Sequence, residues 1–109
     1  MGKFSEKKIK IETIVRQFGS SGTLLGHWLL VDAIIARLDG HPARAALHTA
    51  ADSHGISPRL ASSRLRGVIC YMERARAERY VEIWGEREMP SPAALIDRIS
   101  EEIKAGPSH

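Results

Sequence analysis

Apolar residues recur along this chain at the three- and four-residue intervals of amphipathic helices, and no segment alternates as a half-buried strand would. The first stripe is Ile9, Ile11, Ile14, Val15 and Phe18, closed by Gly19. Gly19-Ser20-Ser21-Gly22 reads as a flexible turn. A second helix is expected to begin near Thr23 or Gly26 and to bury Leu25, Trp28, Leu29, Ala33, Ile34 and Leu38, until Asp39-Gly40 stops it. His41-Pro42 leads into a third helix whose face of Ala43, Ala46, Leu47, Ala50 and Ala51 would let a neighbouring helix approach closely.

The fourth helix has the clearest signals. Ser57 is placed to cap it, and Pro58 falls at the first helical position, where a missing N–H costs nothing. Ala61, Leu65, Val68, Ile69 and Met72 form its inward stripe, which turns Arg59, Ser62, Ser63 and Arg66 outward. Gly67 costs roughly 1 kcal/mol relative to alanine in a helix interior, so it marks close packing or close approach of a ligand. A shorter helix with Tyr80, Val81 and Trp84 ends at Gly85, and a last one starts at Ser91 or Pro92 with Leu95, Ile96, Ile99 and Ile103 inward. Gly106-Pro107-Ser108-His109 reads as a frayed tail, and there is no internal repeat. The pattern predicts an all-α, compact six-helix domain spanning residues 1–109, with its core at about 9–104. Residues 43–79 read as a helix-turn-helix, with His54-Gly55-Ile56-Ser57-Pro58 as the turn.

A chain of 109 residues supports one modest core. Its 43% hydrophobic and 27% charged residues are globular proportions. The net charge of +3 and pI near 9.4 are compatible with a nucleic-acid partner, and the distribution says more. From Arg59 to Arg79 there are six arginines (Arg59, Arg64, Arg66, Arg74, Arg76, Arg79) against two glutamates, Glu73 and Glu78. From Glu82 to Glu102 the bias reverses. The lone Cys70 excludes an intrachain disulfide and a cysteine-based zinc framework; set in an apolar run, it is expected to be buried. MGKFSEKKIKIE lacks the apolar core of a signal peptide, and the run around Trp28–Ala36 is too short to span a membrane, so a cytoplasmic location is expected.

The chemistry follows from the fourth helix. Laid in a DNA major groove, it would present its first two turns to base edges. Arg59 would donate two bonds to guanine O6 and N7; Ser62 and Ser63 suit several bases. Leu60 belongs either to the core or, turned outward, against a thymine methyl. Arg64 and Arg66 are candidate phosphate ligands, as are Arg74, Arg76 and Arg79, which would give affinity and register without sequence preference. With the capping Ser57, the candidate DNA-binding set is Ser57, Arg59, Ser62, Ser63, Arg64 and Arg66. Lys3, Lys7, Lys8 and Lys10 form either an arm toward the backbone or a solubilising face. His48 and His54 do not share a helix face, no carboxylate stands beside them at ligand spacing, and no catalytic or nucleotide-binding motif occurs. Neither a metal, a cofactor, a small-molecule substrate nor an enzymatic activity is expected.

Two blocks carry a family resemblance. Ile14-Val15-Arg16-Gln17-Phe18-Gly19 precedes a short loop and Gly26-His27-Trp28-Leu29-Leu30-Val31-Asp32-Ala33-Ile34. Gly55-Ile56-Ser57-Pro58 runs into Arg64-Leu65-Arg66-Gly67-Val68-Ile69, and Trp84-Gly85 with a proline-containing loop adds a weaker third block. In this order they resemble the C-terminal DNA-binding effector domain family of sporulation response regulators, the stage-zero sporulation protein A type of endospore-forming bacteria. The likeness covers roughly residues 12–104. It implies a bacterial, helix-turn-helix, winged-helix-like transcription regulator acting on double-stranded DNA. The family reads DNA with an Arg-Val-Glu-Arg-like run; Leu60, Ala61, Ser62 and Ser63 stand there instead, and Gly67 replaces a histidine. The family's receiver domain has no counterpart in these residues. The resemblance therefore implies the fold and a DNA-binding heritage, but not the family's DNA box or its phosphorelay control.

The expected function is a small stand-alone DNA-binding regulator. Useful specificity would call for a homodimer on adjacent half-sites, with the last helix as either a dimer surface or a part of the domain's own core. The alternatives are a protein-interaction module that pairs with a related regulator and has lost specific reading, and a nonspecific nucleoid binder, for which a charge of +3 is low.

Overall fold

The structure, a computed structural model, describes residues 6–85 and 87–106. The tail residues Pro107, Ser108 and His109, and Lys3 of the lysine cluster, lie outside the described residues. Among the described residues there are six α-helices and no strand: α1 (Glu6–Gln17), α2 (His27–Leu38), α3 (Ala43–Ser53), α4 (Pro58–Ala75), α5 (Glu78–Trp84) and α6 (Pro92–Ala105). The protein is all-α, as its periodicity predicts.

Helix α2 is the centre of the fold. Its buried residues are His27, Leu29, Leu30, Val31, Ala33, Ile34 and Ala36, which leaves little of its circumference for water. A helix apolar on most sides must be surrounded, and α1, α3, α4 and α6 all pack on it. The alanine face of α3 is buried (Ala43, Ala46, Leu47, Ala50, Ala51), as is the predicted inward stripe of α4 (Ala61, Leu65, Val68, Ile69, Met72). Tyr80 and Trp84 from α5 close the core beside Phe18; the Tyr80 and Trp84 ring centroids are 5.1 Å apart.

One approach in this core is closer than the rest. A Cβ added at Gly26 would stand 2.6 Å from the Arg64 carbonyl oxygen and 2.8 Å from Val68 Cγ2. The start of α2 therefore abuts the backbone of α4, and only a residue without a side chain fits between them.

Helices α4 and α6 begin with the same device. The Ser57 hydroxyl accepts the Leu60 N–H at 3.1 Å ahead of Pro58, and the Ser91 hydroxyl accepts the Ala94 N–H at 3.1 Å ahead of Pro92. Helix α4 ends on Arg76, which takes a left-handed conformation (φ 50°) and donates its N–H to the Met72 carbonyl.

Three apolar residues, Leu25, Ile9 and Cys70, depart from the expected pattern, and Leu60 takes the outward of its two expected places. Leu25 is 77% exposed because α2 starts at His27, which leaves Leu25 in the preceding turn while Leu24 packs on the core. Ile9 is also exposed. Residues two apart lie about 200° apart around a helix, so the stripe through Ile11 and Val15 turns Ile9 away. The same rotation relative to Met72 brings Cys70 to the surface rather than into the core. Leu60, at 41% exposure, lies on the outer flank of α4. Leu95, Ile96 and Ile99 of α6 are fully buried against the domain's own core, so that face is not a dimer surface.

Candidate nucleic-acid interface

The outward positions of α4 form a continuous exposed row: Arg59, Ser63, Arg66, Gly67, Cys70 and Arg74. They follow from the burial of Ala61, Leu65, Val68 and Met72, which fixes the rotation of the helix. Of the predicted site residues, Ser57, Arg59, Ser63 and Arg66 are exposed. Ser62 and Arg64 are half-buried on opposite flanks, so these two do not belong to the outermost row. The Ser57 hydroxyl is committed to its cap.

Ion pairing separates this face from the other basic side chains. Arg16 pairs with Glu12, Arg37 with Asp97 at 2.7 Å, Arg76 with Glu73 at 3.6 Å, Arg79 with Glu102 at 3.2 Å and Arg98 with Glu102 at 3.1 Å. Among the described residues Arg44, Arg59, Arg64, Arg66 and Arg74 have no acidic partner, a condition they share with Arg87 after α5. Arginines held against carboxylates serve the fold, whereas unpaired ones on a single face leave charge for an external anion. Arg76 and Arg79 are thus engaged within the fold, and Arg79 further covers the Phe18 ring at 5.3 Å. Of the lysine cluster, Lys7 and Lys8 lie within α1 and pair with Asp39 and Asp32 of the α2 region.

Two open grooves flank α4. One, of about 480 Å³, is lined by Arg44, Leu47 and His48 of α3, by Pro58, Arg59, Ser62 and Arg66, and by Ser91, Pro92 and Ala93 at the start of α6. The other, of about 590 Å³, lies between the turn before α2 and the opposite flank, and carries Leu24, Leu25, Leu60, Ser63, Arg64, Gly67 and Val68. Nothing lies within 4 Å of the place a Cβ would occupy at Gly67, so internal packing does not account for this glycine. Gly67→Ala should therefore raise folding stability by about 0.5–1 kcal/mol, read as a higher urea midpoint at unchanged slope. A lower midpoint would mean that α4 packs differently there.

No family model, curated protein or solved structure matches the chain.

The residues must speak for themselves, and one further constellation among them needs weighing. His27 is fully buried between Ser20, whose hydroxyl is 2.7 Å from Nδ1, and Glu12, whose carboxylate is 2.8 Å from Nε2. A neutral ring satisfies both contacts, with Nε2–H donating to Glu12 and Nδ1 accepting from Ser20. Burial alone would push the Glu12 carboxyl up, but hydrogen bonds from His27 and Arg16, with the charge of Arg16, hold it below its ordinary value. The serine–histidine–carboxylate order resembles a nucleophilic relay, yet neither groove includes any of the three side chains. Its work is to tie α1, the turn after it and α2 together. His54 is similarly engaged, 2.7 Å from Asp32, and among the described residues no group of three or more His, Cys, Asp or Glu could hold a metal ion.

Sequence reading missed Arg44 and His48, because only the packing of α3 against α4 brings them to the groove beside Arg59 and Arg66. It also missed the Glu12–Ser20–His27 chain, whose members lie 7 to 15 residues apart in sequence. Small polar residues in a turn facing a histidine at the start of an apolar helix were the available hint.

Proposed function

We propose that the protein is a small DNA-binding regulator that presents the outer face of α4 to the major groove, in the manner of the sporulation-regulator effector domains it resembles in sequence. The observation that carries this reading is the segregation of arginines: among the described residues those of α4's outer face, and Arg44 of α3 beside them, lack acidic partners, while those of α1, α2, α5 and α6 are bound to carboxylates. Arg59, in the first turn, is the candidate guanine reader, with Ser63 one turn on. Arg66 and Arg74, farther along the row, suit phosphates. The four-residue connection between α3 and α4, residues 54–57, is of the length a helix-turn-helix uses.

The test is fluorescence anisotropy on a randomised duplex pool, with recovered sequences titrated at two salt concentrations. Enrichment of a short motif, with affinity falling as salt rises, supports the reading. Arg59→Ala should then lose about 1–3 kcal/mol more on the selected site than on random DNA, the value of a bidentate guanine contact. Equal loss on both would make Arg59 a phosphate ligand.

A protein-interaction module is the second reading. It is favoured by Leu25 and Leu60, exposed beside the arginines and lining the second groove. Absence of DNA binding even at low salt would make it the working answer.

A further inference from the structure

The groove between α3, α4 and the start of α6 draws basic groups from elements distant in sequence. Arg44 stands in the first turn of α3, Arg59 in the first turn of α4 and Arg66 two turns later on the same flank, and His48, one turn after Arg44, lines the same groove. No carboxylate lines this groove, and none of the three guanidiniums is ion-paired among the described residues. Three like charges held around one cleft repel each other at some cost to the fold, so an anion entering it relieves that repulsion.

The helix ends add to the same sign. Pro58, Ser91 and Pro92 all line the cleft, so α4 and α6 both direct their N-terminal, partly positive ends toward it. In the first turn of α6, Pro92 has no N–H and Ser91 accepts that of Ala94, which leaves the Ala93 amide as a spare donor at the rim. The arginines carry the argument; the helix ends reinforce it.

We infer that this groove seats the phosphodiester backbone of one DNA strand, with Arg44 of α3 and Arg66 of α4 as its phosphate ligands and Arg59, at the groove's edge, left to the adjacent base. The inference rests on the reading of α4 as the DNA-facing helix. It assigns an orientation: the backbone crosses the α3 and α6 side of α4, while the flank with Leu60 and Gly67 faces away from that strand. Arg66 thereby acquires a defined phosphate partner.

The experiment is a salt titration of duplex binding by the wild type, Arg44→Ala and Lys104→Ala, each checked for unchanged helicity. Lys104→Ala removes the same charge at the far end of α6 and controls for net charge. Arg44→Ala should weaken binding roughly tenfold, equally on selected and random duplexes, as loss of one charge-assisted contact does. Its plot of log affinity against log salt should be shallower by about 0.9, with Lys104→Ala close to wild type. If Arg44→Ala matches Lys104→Ala while the wild type binds DNA, the groove assignment is overturned and the DNA reading stands. If the wild type binds no duplex at low salt, the DNA reading has failed and takes this assignment with it.

Discussion

His27→Ala should cost the protein about 3–5 kcal/mol of folding stability, the range for breaking a buried, charged hydrogen-bonded group by removing one partner. The total stability of a domain this size is about 5–15 kcal/mol, so the variant should be barely folded at 37 °C. Three losses combine. The Glu12 carboxylate loses the Nε2 donor, the Ser20 hydroxyl loses its partner, and the imidazole volume becomes a cavity at the start of the central helix. Urea unfolding followed by circular dichroism measures the sum, and a cost under about 1 kcal/mol would show that water or a shift of α1 makes good the loss. The same network gives the fold an acid limb. Because the Glu12 carboxyl is held below its ordinary 4.5, its contribution is complete above that value and fades as pH falls through its lower folded value. In Glu12→Gln that fading should be absent.

The neighbouring residue carries the second large effect. Gly26→Ala should destabilise the fold by about 1–3 kcal/mol, toward the upper end for an inserted methyl because the nearest obstacle is backbone. The Arg64 carbonyl at 2.6 Å from the new Cβ cannot rotate aside as a side chain would. Relief requires α4 to move off α2, which loosens Val68 and the stripe around it. Thermal unfolding of Gly26→Ala beside Gly67→Ala makes an internal contrast, since the same exchange of a hydrogen for a methyl should lower Tm at one position and raise it at the other. Equal shifts in one direction would contradict the packing of α2 on α4.

These two glycines also mark what is legible in the chain and what is not. Gly67 interrupts a helical pattern and Gly26 stands at the expected start of one, but only the neighbouring backbone shows that Gly26 is closely packed and Gly67 is not. The helix inventory, the Ser-Pro starts of α4 and α6 and the inward stripe of α4 are local properties: periodicity and capping act within a few residues. The exposed face of α4 follows by subtraction, so Arg59, Ser63 and Arg66 could be named from it. Leu25 and Cys70 were misassigned because a run of apolar residues does not announce where a helix starts or how it is rotated. The pairing of Arg79 with Glu102 and the convergence of Arg44 on Arg59 depend on tertiary packing, which no window of sequence contains.

The unpaired state of the α4 arginines has a consequence for how fast and how readily this face meets an anion. Recruiting Arg79 or Arg98 would first require its bond to Glu102 to be dismantled, an activation step before any new contact forms. Arg59 and Arg66 have nothing to release. They project from a helix already capped at both ends and locked by its inward stripe, so no backbone ordering accompanies binding and the entropy lost is confined to the side chains, about 0.5–1.5 kcal/mol for each one immobilised.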